Sequence, residues 1–218
     1  VIQNKNNIGA GLSRNKGISV SNGDYIAFLD CDDVWEQDKL EQQIKVVNSD
    51  PNIALVYSRC DVISGEDSLL GSMHTSVTLK SGQIFGDLVK ENFIPFVSAL
   101  ITKESYENVG GFISHYKNSC DYDLFLKISH KYEVYAIEKV LCQYREHGDN
   151  LSHSQYIISA EESLESVLKF LPDPRAAKGV RFCYTSLVIG YIKDKNFFNA
   201  IYLSIKYRVI GMVFYRDR

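Results

Sequence analysis

An α/β architecture is expected from the way helical and strand periodicities alternate along the first part of the chain. Gly9 to Val20 reads as helix, Tyr25 to Leu29 as strand, Glu36 to Asn48 as helix and Ile53 to Tyr57 as strand. Alternation of this kind favours helices packed on a sheet. The run Tyr25-Ile26-Ala27-Phe28-Leu29 is apolar without a polar partner at every second position, as in a strand covered on both faces. Asp50-Pro51-Asn52 supplies a turn between the second helix and strand.

Taken in order, the first helix places Leu12 and Ile18 on its buried side, and the second turns Leu40, Ile44 and Val47 inward. Residues 61 to 82 are polar and contain glycine, suiting a loop or short hairpin. Ile84 to Lys90 reads as a short helix and Phe96 to Thr102 as a buried strand. Val109-Gly110-Gly111-Phe112 forms a turn before a helix whose buried face is Leu124, Phe125 and Ile128. Tyr132 to Ile137 and Leu141 to Tyr144 are two further strands. Beyond Ser152 the character changes to helices over Ser159 to Leu171, Arg175 to Lys193 and Asn196 to Val209, separated by Pro172-Asp173-Pro174 and Lys193-Asp194-Lys195-Asn196. The division expected is 1–152 for the α/β domain and 153–218 for a helical region.

The 218 residues, 45% hydrophobic and 23% charged, suffice for one substantial core plus an appendage. A net charge of −3 gives no reason to expect nucleic acid as a partner. No apolar run is long enough to span a bilayer, and no signal peptide is expected. Five scattered cysteines offer neither zinc-site pairs nor a disulfide framework, which points to a reducing cytoplasm, with Cys31 and Cys120 as space-filling side chains.

The chemistry concentrates where the first strand stops, at Asp30-Cys31-Asp32-Asp33-Val34-Trp35. Carboxylates this crowded repel one another, so they suit either a divalent cation with its phosphates or the cap of the following helix. Oxygen ligands favour Mg²⁺ or Mn²⁺. Upstream lies Asn7-Ile8-Gly9-Ala10-Gly11-Leu12-Ser13-Arg14-Asn15-Lys16-Gly17-Ile18; downstream lie Cys120-Asp121-Tyr122-Asp123-Leu124 and Tyr144-Arg145-Glu146-His147-Gly148-Asp149-Asn150-Leu151-Ser152. Read alone, Asp121 suits the N-terminus of its helix, and His147 is an ordinary polar loop residue.

Together these segments resemble the family 2 glycosyltransferases of GT-A fold, almost position by position over about the first thirty-five residues. The resemblance implies a Rossmann-like, mostly parallel sheet flanked by helices. It implies that Asp30-Cys31-Asp32 is the Asp-x-Asp motif, with Asp30 near the donor's ribose or sugar and Asp32 holding Mn²⁺ or Mg²⁺ on the diphosphate. Arg14 would lie close to the donor, and Arg145 or His147 would approach the diphosphate, His147 as a metal ligand favouring manganese. Asp121 would be the catalytic base; the glutamate that precedes it in the family is here Cys120. Family members open with a strand, helix and strand that this chain, beginning at Val1, does not show, so an N-terminally incomplete catalytic domain is expected. The implied function is inverting, metal-dependent transfer from a nucleotide-diphosphate sugar, UDP-sugar first, to a glycan, lipid-linked or other hydroxyl acceptor, in surface polysaccharide or glycan biosynthesis.

Two other classes remain in view. A non-catalytic or split-enzyme fragment would retain the acidic cluster for metal, nucleotide or partner binding, and a Mg²⁺ phosphatase built on Asp30 and Asp32 would leave the other motifs unexplained. The basic, aromatic C-terminus, with Phe197, Phe198, Ile201, Tyr207, Lys206, Arg208 and Arg216, suits either peripheral contact with the inner face of a membrane or packing against protein.

Overall fold

The computed structural model describes residues 2–73, 78–148, 150 and 155–215, with side chains described as far as 206. The expectations for Leu151 and Ser152, and for the aromatic and basic side chains from Tyr207 onward, fall outside these residues.

In chain order the elements are α1 (Ala10–Ser19), β1 (Tyr25–Ala27), β2 (Val34–Trp35), α2 (Lys39–Val47), β3 (Ile53–Ser64), β4 (Leu69–Ser72), α3 (Phe85–Leu88), a 3₁₀ turn (Phe96–Ser98), β5 (Leu100–Thr102), α4 (Lys103–Asn108), α5 (Cys120–Lys131) and β6 (Glu133–Glu146). Three helices follow: α6 (Tyr156–Leu168), α7 (Pro174–Lys193) and α8 (Phe197–Tyr215). The α/β class is as expected. The sheet, ordered β1-β5-β3-β6-β2 with β4 on β3, is mixed rather than mostly parallel. Among the described residues only β3 and β6 run parallel, because α4 and α5 lie in the crossover between them, while β1, β2, β4 and β5 each pair antiparallel.

Several elements differ from expectation for identifiable reasons. The two strands expected over 132–144 are one, since β6 absorbs the interruption as register shifts against β3 instead of a turn. β3 extends into the polar region and folds back through β4, with Asp67 at φ 64 in the hairpin turn. Phe96 to Ser98 is a 3₁₀ turn, after which only Leu100–Thr102 is strand. Leu12 and Leu40 are exposed rather than inward; Gly11 and Ile18 are buried on α1, and α2 turns Lys39, Gln43 and Val47 to the interior.

The main core lies on one face of the sheet. Leu55 and Tyr57 of β3 meet Phe85 and Leu88 of α3, and Leu124, Phe125 and Ile128 of α5. Val167 of α6 and Ala176, Val180 and Tyr184 of α7 join the same cluster. On the other face Val56 packs with Val47, Ile53 and Leu100. The alternation of Leu55, Val56 and Tyr57 between two covered faces explains why β3 begins as an unbroken apolar run.

Candidate active site

The acidic segment forms a tight turn between β1 and β2, closed by the Asp33 amide donating to the Asp30 carbonyl at 3.2 Å. Its three carboxylates have separate partners, which lessens the repulsion that crowding implies. Asp30 receives the Arg14 guanidinium at 2.9 and 3.2 Å. Asp32 Oδ2 lies 2.9 Å from His147 Nε2. Asp33 turns inward, accepts the Arg145 backbone N–H at 2.9 Å, and is pushed up to about 6 chiefly by burial. The His147 hydrogen bond is the main cause holding the Asp32 carboxyl below its usual range.

Arg14 joins the two halves of the site. Its guanidinium lies over Phe96, 4.1 Å from the ring centroid, and Phe112 stands at 5.9 Å. One nitrogen grips Asp30 while another reaches Cys120 Sγ at 3.7 Å, at the start of α5. α1 is placed to do this by Asn15, whose amide donates to the Phe112 carbonyl at 2.9 Å and whose oxygen accepts the Phe112 N–H at 3.1 Å. Gly111 makes room for that turn: at φ 66, a Cβ there would stand 2.7 Å from the Tyr106 hydroxyl.

Asp121 lies in the first turn of α5 and is half-buried. Burial raises its carboxyl, opposed by the Tyr122 backbone N–H and by the positive charge of Arg14. The charge of Asp30 also reaches it, which places both carboxylates in one electrostatic neighbourhood. Cys120 is buried, and burial pushes its thiol up to about 11, so the side chain fills space and stays protonated at neutral pH.

The segment after β6 is folded around Arg145 and Asn150. Arg145 Nε donates to the Asp32 carbonyl at 2.7 Å, and Nη1 donates to the Ser64 carbonyl at 2.8 Å and pairs with Asp67 at 2.7 Å. Its guanidinium is therefore engaged in clamping the acidic turn to the β3–β4 hairpin. Asn150 accepts the His147 N–H at 2.5 Å and donates to the Tyr144 hydroxyl at 2.6 Å and the Arg145 carbonyl at 3.1 Å, aiming His147 back at Asp32.

Asp32 and His147 fit a divalent cation as a two-donor set. Among the described residues no group of three or more His, Cys, Asp or Glu is disposed to hold a metal. Mg²⁺ and its relatives are commonly held through one or two protein donors plus substrate phosphates, so the donor set suits an ion that arrives with a nucleotide diphosphate. The geometry thus brings Asp32 with His147, and Asp30 with Arg14 and the start of α5. Residues that local reading missed include Phe96, the platform beneath Arg14, and Asn150, which shapes the His147 loop. Asn150 lies within the motif; Phe96 carries no local signal, because only folding brings it under α1.

A mixed sheet flanked by helices, with this paired acidic turn after its edge strand β1, defines the class as an α/β protein. The profile of "Glycosyltransferase like family 2" matches residues 2–181, and the chain belongs to that family. Among similar proteins, an uncharacterized glycosyltransferase of Haemophilus influenzae is 30% identical over 134 residues, 59% of this chain and 43% of that protein. A chondroitin synthase of Pasteurella multocida is 28% identical over 151 residues, 69% of this chain and 15% of that protein. The chain spans less than half the length of these curated relatives. Among solved structures, a mannosyltransferase of Pyrobaculum calidifontis in complex with GDP-Man and Mn²⁺ superposes with a TM-score of 0.55 at 15% identity, covering 95% of this chain and 64% of that one. That likeness supports the GT-A fold.

Proposed function

We propose that the protein transfers a sugar from a nucleotide diphosphate, a UDP-sugar first among candidates, to an acceptor hydroxyl with inversion at the anomeric carbon. The observation that carries this reading is the pair of linked contacts, Asp32 to His147 on one side and Asp30 through Arg14 to the start of α5 on the other. Asp32 and His147 would hold Mn²⁺ or Mg²⁺ together with the diphosphate. When bound, that ion supplies Lewis-acid stabilisation of the leaving phosphate charge. Asp30 and Arg14 orient the donor's ribose or sugar, and the Arg145 backbone and side chain hold the acidic turn in place.

Asp121 accepts the acceptor hydroxyl's proton as that oxygen bonds to the anomeric carbon; the bond from that carbon to the diphosphate oxygen breaks, and the diphosphate leaves with the electron pair. A single displacement forms no glycosyl-enzyme, so no nucleophilic side chain is needed. Burial, which raises the Asp121 carboxyl, strengthens it as a base. The acceptor is a glycan, lipid-linked or other hydroxyl compound. The relative named as a chondroitin synthase supports a role in polysaccharide assembly.

The site of action is the cytoplasm, at the inner face of the membrane. No helix among the described residues is long and apolar enough to cross a bilayer, whereas Phe197, Phe198, Ile201, Tyr202 and Ile205 of α8 are exposed beside Lys206. That surface suits peripheral contact with anionic lipid. A panel of UDP-, GDP- and dTDP-sugars, assayed for turnover with Mn²⁺ or Mg²⁺ and after chelation, tests the enzymatic reading. Turnover of none of them by the full-length protein would reject it.

A further inference from the structure

α6 lies outside the motifs that define the site, yet its polar face is built into the loop that leads to Asp121. Glu162 reaches across from α6 and gathers three consecutive backbone amides. Its Oε1 accepts from Lys117 N at 2.7 Å, and its Oε2 accepts from Asn118 N at 3.0 Å and Ser119 N at 2.8 Å. Three successive N–H groups converging on one carboxylate form an anion nest, and charge-assisted bonds to it are stronger than neutral ones.

Neighbouring side chains tighten the same seam. Ser119 Oγ donates to the Ser159 carbonyl at 3.0 Å, and Asn118 Nδ2 reaches Ser159 Oγ at 3.2 Å. Two residues beyond Asp121, the buried Asp123 is held by Lys127 at 2.9 Å, and by Lys169 and Ser166 of the α6 end at 3.1 Å each. The start of α5 is therefore fastened on the α6 side, independently of the Arg14 contact on the other.

We propose that Glu162 is a positioning residue for transfer: by binding the amides of Lys117, Asn118 and Ser119 it sets the start of α5, and with it the place of Asp121 relative to the donor. This rests on the reading of Asp121 as the base. It assigns α6 to the acceptor half of the site. A misplacement of about 1 Å can cost a reaction a hundredfold, and a loop released from three charge-assisted bonds has that freedom.

The test compares Glu162→Ala, Glu162→Gln and Asp121→Asn in the full chain. Donor binding is read by calorimetry with Mn²⁺ and UDP, turnover with the nucleotide sugar that the donor panel selects, and loop order by amide hydrogen exchange. Glu162→Ala is expected to lower kcat by about tenfold to a hundredfold, leave donor KM and UDP binding within about twofold, and speed exchange at 117–119. Glu162→Gln, which keeps an accepting oxygen, is expected to retain more turnover than Glu162→Ala. Unchanged kcat in both Glu162 variants would overturn the proposal, and so would equal losses of turnover and UDP binding. Should Glu162→Ala fail to fold, Glu162→Gln decides by the same two readings. An active Asp121→Asn removes the base itself, while an inactive one beside fully active Glu162 variants removes only the positioning role.

Discussion

Lys39 shows how a single side chain can reverse an expectation. Apolar spacing points Leu40 inward, but Leu40 is exposed and the Lys39 ammonium is fully buried, 2.7 Å from Gln43 Oε1 and 4.3 Å from the centre of the Trp35 ring. Gln43 in turn donates to the carbonyls of Val56 at 3.1 Å and Ser98 at 2.7 Å, so α2 is pinned to the sheet by polar contacts. Burial is the main cause that brings the Lys39 amine down to about 8. Its folded pKa is depressed, so between about pH 8 and 10.5 this one group binds more protons in the unfolded chain and its own contribution to stability rises with pH, while the buried thiols of Cys120 and Cys183, pushed up to about 11 and about 12, contribute a fall above about pH 9. Lys39→Met should remove that contribution, so the slope of stability against pH, measured by urea unfolding across this range, should be less positive than in the unaltered protein. A slope identical to that of the unaltered protein would contradict it.

Two further residue-scale predictions concern the chemistry. Asp121→Asn keeps the side-chain shape but cannot take the acceptor proton, so transfer should fall by about a hundredfold or more while UDP binding persists. Asp32→Asn removes the negative charge that faces His147, and Mn²⁺-dependent UDP binding measured by calorimetry should be lost first. Retention of metal-dependent binding in Asp32→Asn would take the diphosphate away from this pair.

At the scale of elements, tight crossings are the sensitive places. Gly179 of α7 passes so close to the end of α3 that an added Cβ would stand 2.5 Å from the Val89 carbonyl oxygen and 2.6 Å from Val89 Cβ. Gly179→Ala must push the helix off the core, and overpacking of this kind costs about 1–3 kcal/mol. Denaturant titration should show the loss as a lower midpoint. The end of β6 is equally exacting, because Arg145 donates through both Nε and Nη1 to hold the acidic turn against the β3–β4 hairpin. The single ammonium of a lysine has no such fork, so the planar guanidinium is what lets one side chain serve both segments.

Across the whole molecule, one continuous core runs from the sheet through α5 into α6 and α7, since Val167, Ala176, Val180 and Tyr184 share a cluster with Leu55, Phe85 and Phe125. These helices are packed into the same core as the sheet. Unfolding followed by near-UV and far-UV circular dichroism should therefore give coincident transitions. A separate early transition of the helices would show that they form an independent unit.

The linear chain was sufficient for the family, the acidic turn and the elements with strong local patterns. Gly9 and Arg14, Asp30 and Asp32, and Tyr144 to Asn150 keep fixed spacing along the backbone, and apolar runs such as β3 or the inner face of α5 announce burial over a few residues. Folding alone decided which partners those side chains take. Arg14 finds Asp30, Phe96 and Cys120; His147 finds Asp32; Glu162 finds the loop before α5. Each of these contacts joins residues that local periodicity cannot relate, because it reports which face of an element is buried and is silent on what waits across the interface. The same reason explains the mixed sheet, whose strand directions depend on the route of each crossover through space, and the buried Lys39, whose inward turn is stabilised by Trp35 and Gln43 once they surround it.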